Sequence, residues 1–349
     1  MKIYKDLYWS IISPQALFRA WKIFEHDKRK KPDVATFSLN LEKNIFDLYR
    51  DLKNETYKHG PYKGFWIHDP KLRRIHKATV RDRVLHHAVF QVLNGVFEPT
   101  FINDSYSCRI DKGTHKGMKK LAEMIRAVSR NYTHPCYVLK CDIRKFFDSM
   151  DHNILLRIIN KRIKDVRVQA LLVEVVGSFS SNQADLFVCK GVPIGNLTSQ
   201  IFANIYMNEF DQFIKHELCV KNYARYTDDF VIVSSNRNNL AELLSPIRNF
   251  LNYKLHLDLH PKKVEIRKYN QGVDFLGYVL LPHHIKVRTK TKRKIPKKIK
   301  QRIIAYKDGQ IKEVSLFSTL ASYCGVLSHA NMYEFTKNLK NMFWFWLKE

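Results

Sequence analysis

The sequence has few of the features that would place it outside a reducing, aqueous compartment. Its 349 residues include six cysteines, at 108, 136, 141, 189, 219 and 324. None forms a Cys-x-x-Cys pair or joins a Cys/His group with zinc spacing, and the intervals have no disulfide-framework rhythm. They read as reduced thiols of a cytosolic protein. No stretch approaches the ~18 apolar residues of a membrane span. The N-terminal Met1-Lys-Ile-Tyr-Lys-Asp6 breaks up any signal-peptide core with charge. The fifteen histidines show no His-Glu-x-x-His pattern, and the doublets His86-His87 and His283-His284 suit packing or surface positions better than metal ligation. Repeats, low-complexity tracts and flexible linkers are missing too, so the subdomains should pack into one body.

Acidic charge is also scarce. Sixty Lys and Arg stand against 33 Asp and Glu, a net charge of +27. Such an excess points to a polyanionic partner, with nucleic acid foremost. The cations are dispersed along the chain, which argues against membrane binding. With 45% hydrophobic residues the chain is globular and long enough for two or three packed subdomains.

Ser13-Pro14 predicts a helix start, with Leu17, Trp21 and Phe24 following at helical spacing. A second helix is expected from about Ser38, carrying Leu41, Ile45, Leu48 and Leu52 on one face. Residues 60–110 should hold short strands and then a helix near Arg81–Leu93. Asp151–Ile163 and Gln200–Leu218 read as helices. From Lys286 to Lys300 there are nine Lys/Arg and no acid, with cations on alternate positions from Lys286 to Lys292. In an extended segment that alternation presents one basic face. The remainder reads as helical, broken at Asp308-Gly309.

The most informative residues are acids at strand ends. Asn222–Tyr226 and Phe230–Ser234 have strand composition, and Thr227-Asp228-Asp229 falls where a hairpin should turn. Tyr137–Cys141 is another strand, ending at Asp142 and followed by Phe146-Phe147. An isolated Asp-Asp pair is commonly a solvated turn, but two strand ends can bring Asp142 and Asp228 together. Close carboxylates repel and burial raises their pKa, so a cation should compensate them. All-oxygen ligation suits Mg²⁺ or Mn²⁺, and two such ions about 3.5–4 Å apart support in-line displacement at phosphorus.

On these residues the chain resembles a reverse transcriptase over about residues 60–340. Asp142-Ile143-Arg144-Lys145-Phe146-Phe147-Asp148 is similar to motif A of that family, and Tyr226-Thr227-Asp228-Asp229 to its motif C. Phe275-Leu276-Gly277-Tyr278 resembles the primer grip, and Leu259-His260-Pro261-Lys262-Lys263 resembles motif D. Arg81-Asp82-Arg83 and Ser105-Tyr106-Ser107-Cys108-Arg109 resemble the first two polymerase blocks.

The resemblance implies a right-hand polymerase of mixed α/β class. Its fingers would run to about 135, its palm from 136 to 281 and its basic thumb from 282 to 349. Asp142, Ile143 and Asp228 would hold two Mg²⁺ ions, with Mn²⁺ a substitute and Asp229 supporting the cluster. Phe147 would lie under the incoming sugar and exclude a 2′-OH. Arg109, Lys77 and Arg81 would contact the triphosphate, and Lys262 or Lys263 would protonate pyrophosphate. Lys286, Arg288, Lys290, Lys292, Arg293 and Lys294 would bind nucleic acid. The partners implied are template RNA, primer or cDNA and deoxynucleoside triphosphates.

Ile194-Gly195-x-x-x-Ser199-Gln200 stands where most of the family carries Gln-Gly-x-x-x-Ser-Pro. That form is similar to the enzymes of diversity-generating retroelements, which copy a template RNA with errors at adenines. The thumb block Ser322–Asn331 looks like that group and group II intron enzymes. Membership implies a small basic accessory protein and no endonuclease or RNase H domain after the thumb. Gly195 would allow close approach of the base pair or make a strand-to-helix turn. Alternatives are a group II intron, retron or phage-defence enzyme, or a catalytically silent RNA-binding scaffold.

Overall fold

The computed structural model describes residues 2–68, 72–180 and 189–349. Ser13 Oγ accepts a hydrogen bond from the Ala16 amide at 3.3 Å, and Pro14 occupies the first turn, where a missing N–H costs nothing. The N-terminal helices are α1 (Tyr8–Ile12), α2 (Pro14–Glu25), α3 (Pro32–Leu39) and α4 (Leu41–Lys53). The helix expected from about Ser38 is α4, which begins at Leu41, and a separate helix, α3, precedes it. Pro32 and Asp33 start α3 early, and Asn40, with ψ of 43°, breaks the chain before α4. The expected face still packs, with Ile45, Leu48 and Leu52 fully buried.

A hairpin of β1 (Lys63–Ile67) and β2 (Arg73–Lys77) leads to α5 (Val80–Phe97) and α6 (Thr114–Val128). Then come β3 (Tyr137–Asp142), α7 (Phe146–Ser149), α8 (His152–Arg162), α9 (Val166–Gly177) and α10 (Leu197–Gln212), which ends in a π-helical turn, Phe213–Glu217. The chain continues through β4 (Tyr223–Tyr226), β5 (Asp229–Ser234), α11 (Arg237–Glu242), α12 (Leu244–Leu255) and β6 (Glu265–Lys268). It closes with β7 (Val273–Phe275), β8 (Tyr278–Leu281), β9 (His284–Val287), α13 (Thr289–Lys307), α14 (Glu313–Ser328) and α15 (Tyr333–Lys348).

The central sheet is antiparallel, in the order β4-β5-β3-β6, and β7-β8-β9 form a second antiparallel sheet. Strands β3 and β5 are apolar on both faces because each face has a core. Leu139, Cys141, Phe230 and Ile232 join the core built around α5, α8 and α10. Val138, Val231 and Val233 point the other way, into a core shared by α6, the second sheet and α13–α15. The boundary expected at 281 falls within the β8–β9 hairpin.

The basic run is not extended. Only Lys286 and Val287 lie in β9, and α13 begins at Thr289 and buries Ile295, Ile299 and Ile303. Three isoleucines four residues apart outweigh the alternation of cations before them, so Lys290, Arg293 and Lys297 share an exposed helical flank instead. Among the described residues no helix is long and apolar enough to cross a membrane.

His86 of α5 is buried, with its Nε2 3.2 Å from His59 Nε2. Burial pushes its pKa down to about 3. The unfolded chain therefore takes up a proton near pH 6.5 that the folded chain refuses, so stability from this group is lost as pH falls from 6.5 towards 3. Urea unfolding at pH 7 and pH 5 should show the stability gap between the parent and His86→Asn narrowing by roughly 2 kcal/mol at the lower pH. An equal gap at both pH values would contradict this.

Candidate active site

Asp142 is the last residue of β3 and Asp229 the first of β5, and the two are direct cross-strand partners. Such partners hold their Cβ atoms about 4.5–5.5 Å apart. Asp228 is in the turn between β4 and β5, and its carbonyl accepts from the Ile143 amide at 3.3 Å. The register thus gathers all three acids at one end of the sheet. Burial first, and then the charge of Asp142, push the Asp228 carboxyl up, against Lys263 and Arg73. Burial pushes Asp229 up to about 6, with Asp228 and Asp142 adding to the shift and Lys140 opposing it.

The turn is held by residues that sequence reasoning missed. Thr227 has a φ of 55°, a left-handed conformation that costs a β-branched residue about 1–2 kcal/mol. Its hydroxyl bonds Ser107 Oγ at 2.6 Å, and its carbonyl accepts from Arg225 Nη1 at 3.1 Å. Arg225 is itself fully buried. Its Nε and Nη2 donate to the two carboxylate oxygens of Asp211 on α10, at 2.7 and 2.5 Å, and Nη2 also donates to Ser105 Oγ at 3.2 Å. The Tyr223 hydroxyl donates to Asp211 as well. An arginine between aromatic residues inside a strand was the available signal, since a buried guanidinium needs a partner.

The segment after α12 is pinned to the end of β3 by Arg144 N–H to Asp258 and by His260 N–H to the Asp142 carbonyl, both at 2.8 Å. This pinning separates the two lysines. Lys263 Nζ reaches Asp142 Oδ2 at 2.7 Å, whereas Lys262 is exposed.

Residues 192–196 hold the fingers hairpin against this centre. The Ile194 carbonyl accepts from the His76 amide at 3.1 Å, and Asn196 Nδ2 donates to the His76 carbonyl at 2.9 Å. Gly195 has a φ of +113°, and a Cβ there would lie 2.7 Å from Ile75 Cγ2. Of its two expected roles, the turn is the one seen, and what approaches its backbone is strand β2. The Ile194 side chain is half-buried and lines a cleft of about 660 Å³ with Arg73, Arg74, His76, Lys145 and Phe179. Phe146 is core, and Phe147 is half-buried against the same core.

Three cations expected at a triphosphate are engaged elsewhere. Lys77 pairs with Asp33 at 2.7 Å, and Arg81 pairs with Asp51 while stacking over Tyr57. Arg109 is buried, paired with Glu98 at 2.8 Å and bonded through Nη1 to the carbonyls of Ile102 and Ser105. The cations whose charge acts on Asp228 are Lys263 and then Arg73. A strand reading rich in arginine could have flagged Arg73, but the sequence does not say which side chains face the cleft.

The primer-grip residues also divide. Phe275 and Tyr278 are buried, so only the turn Leu276-Gly277, with φ values of 50° and 93°, is presented. Leu276 packs on α6 at Gly117, where a Cβ would meet its Cδ1 at 3.0 Å. Within the basic run, Arg288 pairs with Asp274 and Lys292 lies 5.1 Å over the Phe335 ring, while Lys286, Lys290 and Arg293 are exposed. Among the described residues no three His, Cys, Asp or Glu side chains are grouped to hold a metal ion. The oxygen donors at hand are the carboxylates of Asp142 and Asp228.

An antiparallel sheet that gathers acids at one end, backed by helices and flanked by a fingers hairpin and a helical basic segment, defines a right-hand polymerase. The chain belongs to the reverse transcriptase (RNA-dependent DNA polymerase) family, whose model matches residues 61–280. It is 26% identical over 246 residues to Protein YkfC of Escherichia coli (strain K12), covering 60% of this chain and 64% of that protein. It is 24% identical over 329 residues to the group II intron-encoded protein LtrA of Lactococcus lactis subsp. cremoris, covering 75% of this chain and 53% of that one. The chain thus spans less than two thirds of either relative. In fold it is similar to apo telomerase from Candida tropicalis, with a TM-score of 0.51 at 13% identity over 70% of this chain and 53% of that one.

The Arg225–Asp211 pair is expected to behave as a buried ion pair. Arg225→Met should destabilise the protein by about 3–5 kcal/mol through the uncompensated Asp211, and Asp211→Leu added to it should recover part of that loss. Chemical unfolding of the parent, the single and the double variant measures this. A double variant less stable than the single one would refute it.

Proposed function

We propose that the chain is an RNA-directed DNA polymerase that extends a primer 3′-OH with deoxynucleotides. The observation that carries this reading is the placement of Asp142, Asp228 and Asp229 at one end of the central sheet. In the transfer, the primer 3′-hydroxyl gives up its proton to solvent, its oxygen bonds to the α-phosphorus, and the bond to the bridging oxygen breaks, releasing pyrophosphate. Arg73 and Arg74 hold the triphosphate, Lys263 donates a proton to pyrophosphate, and Phe147 bounds the sugar. The turn at Leu276-Gly277 seats the primer end. Asp142, Asp228 and the main-chain carbonyl of Ile143 would hold Mg²⁺, or Mn²⁺ in its place, which supplies charge stabilisation at the phosphate oxygens. Fingers to about 135, palm to about 281 and a thumb of α13–α15 complete the assignment, with template RNA and primer or cDNA as partners.

Within the family, the form Ile194-Gly195-x-x-x-Ser199-Gln200 supports a diversity-generating retroelement enzyme that copies its template with errors at adenines and works with a small basic accessory protein. The relation to LtrA supports a second reading, a group II intron-type enzyme. Fidelity separates the two. A Gln side chain at position 194 can donate and accept hydrogen bonds in the cleft, whereas isoleucine can do neither.

In the first test, Asp142→Asn and Asp228→Asn should each abolish primer extension on an RNA template in Mg²⁺ while RNA binding persists. Substantial synthesis by either variant removes the assignment. In the second, Ile194→Gln should lower misincorporation opposite template adenine more than opposite the other bases, by about ten-fold if one polar contact worth ~1.4 kcal/mol is restored. Single-nucleotide incorporation kinetics opposite each base measure the ratio, and an unaltered adenine ratio excludes Ile194 as the cause.

A further inference from the structure

A second pocket, of about 370 Å³, lies between α6, the loop that follows it, the β8–β9 hairpin and Asn331. It is separate from the copying cleft. Tyr269 on its wall donates its amide hydrogen to the Cys136 carbonyl, at the end of β3 opposite Asp142. Five residues of strand separate those ends, about 17 Å.

The loop that builds it is strained. Arg130, Asn131 and Tyr132 have successive φ values of 47°, 58° and 70°. Side chains without a glycine's freedom adopt three left-handed steps only when their surroundings hold them there. Here the Asn131 amide donates to the Arg126 carbonyl at 2.8 Å, the Tyr132 amide to Ser129 Oγ at 2.9 Å and the Tyr269 hydroxyl to the Tyr132 carbonyl at 2.7 Å. These bonds fix the Tyr132 ring on the pocket wall, 5.7 Å from the Tyr269 ring and 4.6 Å from that of His283.

The polar groups around that wall include several donors. Arg126 Nε donates to Asn131 Oδ1 at 3.1 Å, and the Ile285 amide donates to Asn331 Oδ1 at 2.8 Å. With each carboxamide oxygen engaged, the two asparagines present their NH₂ groups. Among the described residues no Asp or Glu lines the pocket. Flat aromatic walls with amide and guanidinium donors complement a planar ligand rich in acceptors and attached to negative charge, which is an unpaired nucleotide.

We propose that this pocket captures an unpaired base of a structured RNA, stacked on Tyr132, with its carbonyl oxygens accepting from Asn131 and Asn331 and its phosphate near Arg126. The site lies away from the copying centre, so it holds RNA that is not being copied and anchors the enzyme to its own transcript. This rests on the RNA-directed polymerase reading, and the test separates the two.

The probes are an RNA hairpin with one bulged uridine and the same hairpin fully paired, with affinities measured by fluorescence anisotropy at one salt concentration using the full chain. The parent should prefer the bulged hairpin by about ten-fold, the value of one base–aromatic stack. Tyr132→Leu should lose that preference while extending oligo(dT) on poly(rA) as the parent does. Equal affinities for the two hairpins, or a preference that survives in the variant, would overturn the proposal. Affinity for uridine monophosphate comparable to that for the bulged hairpin would overturn the assignment to RNA. Independently of any variant, 4-thiouridine at the bulge should crosslink the parent at Tyr132 or His283, and crosslinks confined to the copying cleft would also overturn it. Failure of the parent to extend oligo(dT) on poly(rA) would instead remove the polymerase reading.

Discussion

Mutual repulsion among Asp142, Asp228 and Asp229 is the cost around which this palm is arranged. Antiparallel register leaves no freedom to separate Asp142 from Asp229, and the turn brings Asp228 beside them. The surroundings answer with cations drawn from three separate segments. Lys263 arrives on the loop pinned to β3, Arg73 on the fingers hairpin and Lys140 from within β3 itself. None of them is adjacent in sequence to the acid it opposes, so the centre exists only when the whole fold is formed.

Beneath the acids, a neutral-sum network does the positioning. Arg225 and Asp211 cancel each other in the core, and the donor that remains on Arg225 steadies the strained Thr227 carbonyl. Motif B acts on the other side of the cleft. With Ile75 against Gly195 and His76 bonded to Ile194, the β1–β2 hairpin and the wall of the cleft lined by Ile194 are one mechanical unit. Because that bond is accepted by the main-chain carbonyl, a side-chain change at position 194 alters the chemistry of the wall and leaves the bond in place.

What was legible in the sequence was whatever depends on local pattern. Strand composition around Tyr226–Asp229 and before Asp142 located the acids, and Ser13-Pro14 located a helix start. Isoleucine spacing in α13 was legible too, but the alternating cations before it suggested an extended segment. Pairings made at long range were not. Lys77, Arg81 and Arg109 have the right chemistry for phosphate, and only the fold shows that Asp33, Asp51 and Glu98 already hold them. Conversely, Arg73 looks like any surface arginine until β2 is placed over the palm. That Lys263 rather than Lys262 reaches Asp142 follows from the pinning of the loop at Asp258 and His260.

The central claim is that this carboxylate cluster performs templated DNA synthesis. Its most direct test offers the purified chain a primed RNA of mixed sequence, Mg²⁺ and one deoxynucleoside triphosphate at a time, and resolves the products at single-nucleotide length. The account requires Mg²⁺-dependent addition in which the complementary nucleotide leads at most template positions, lost on chelation and regained when Mg²⁺ is restored. Addition that ignores the template, or none with any nucleotide by a well-folded chain that still binds the primed RNA, would contradict it.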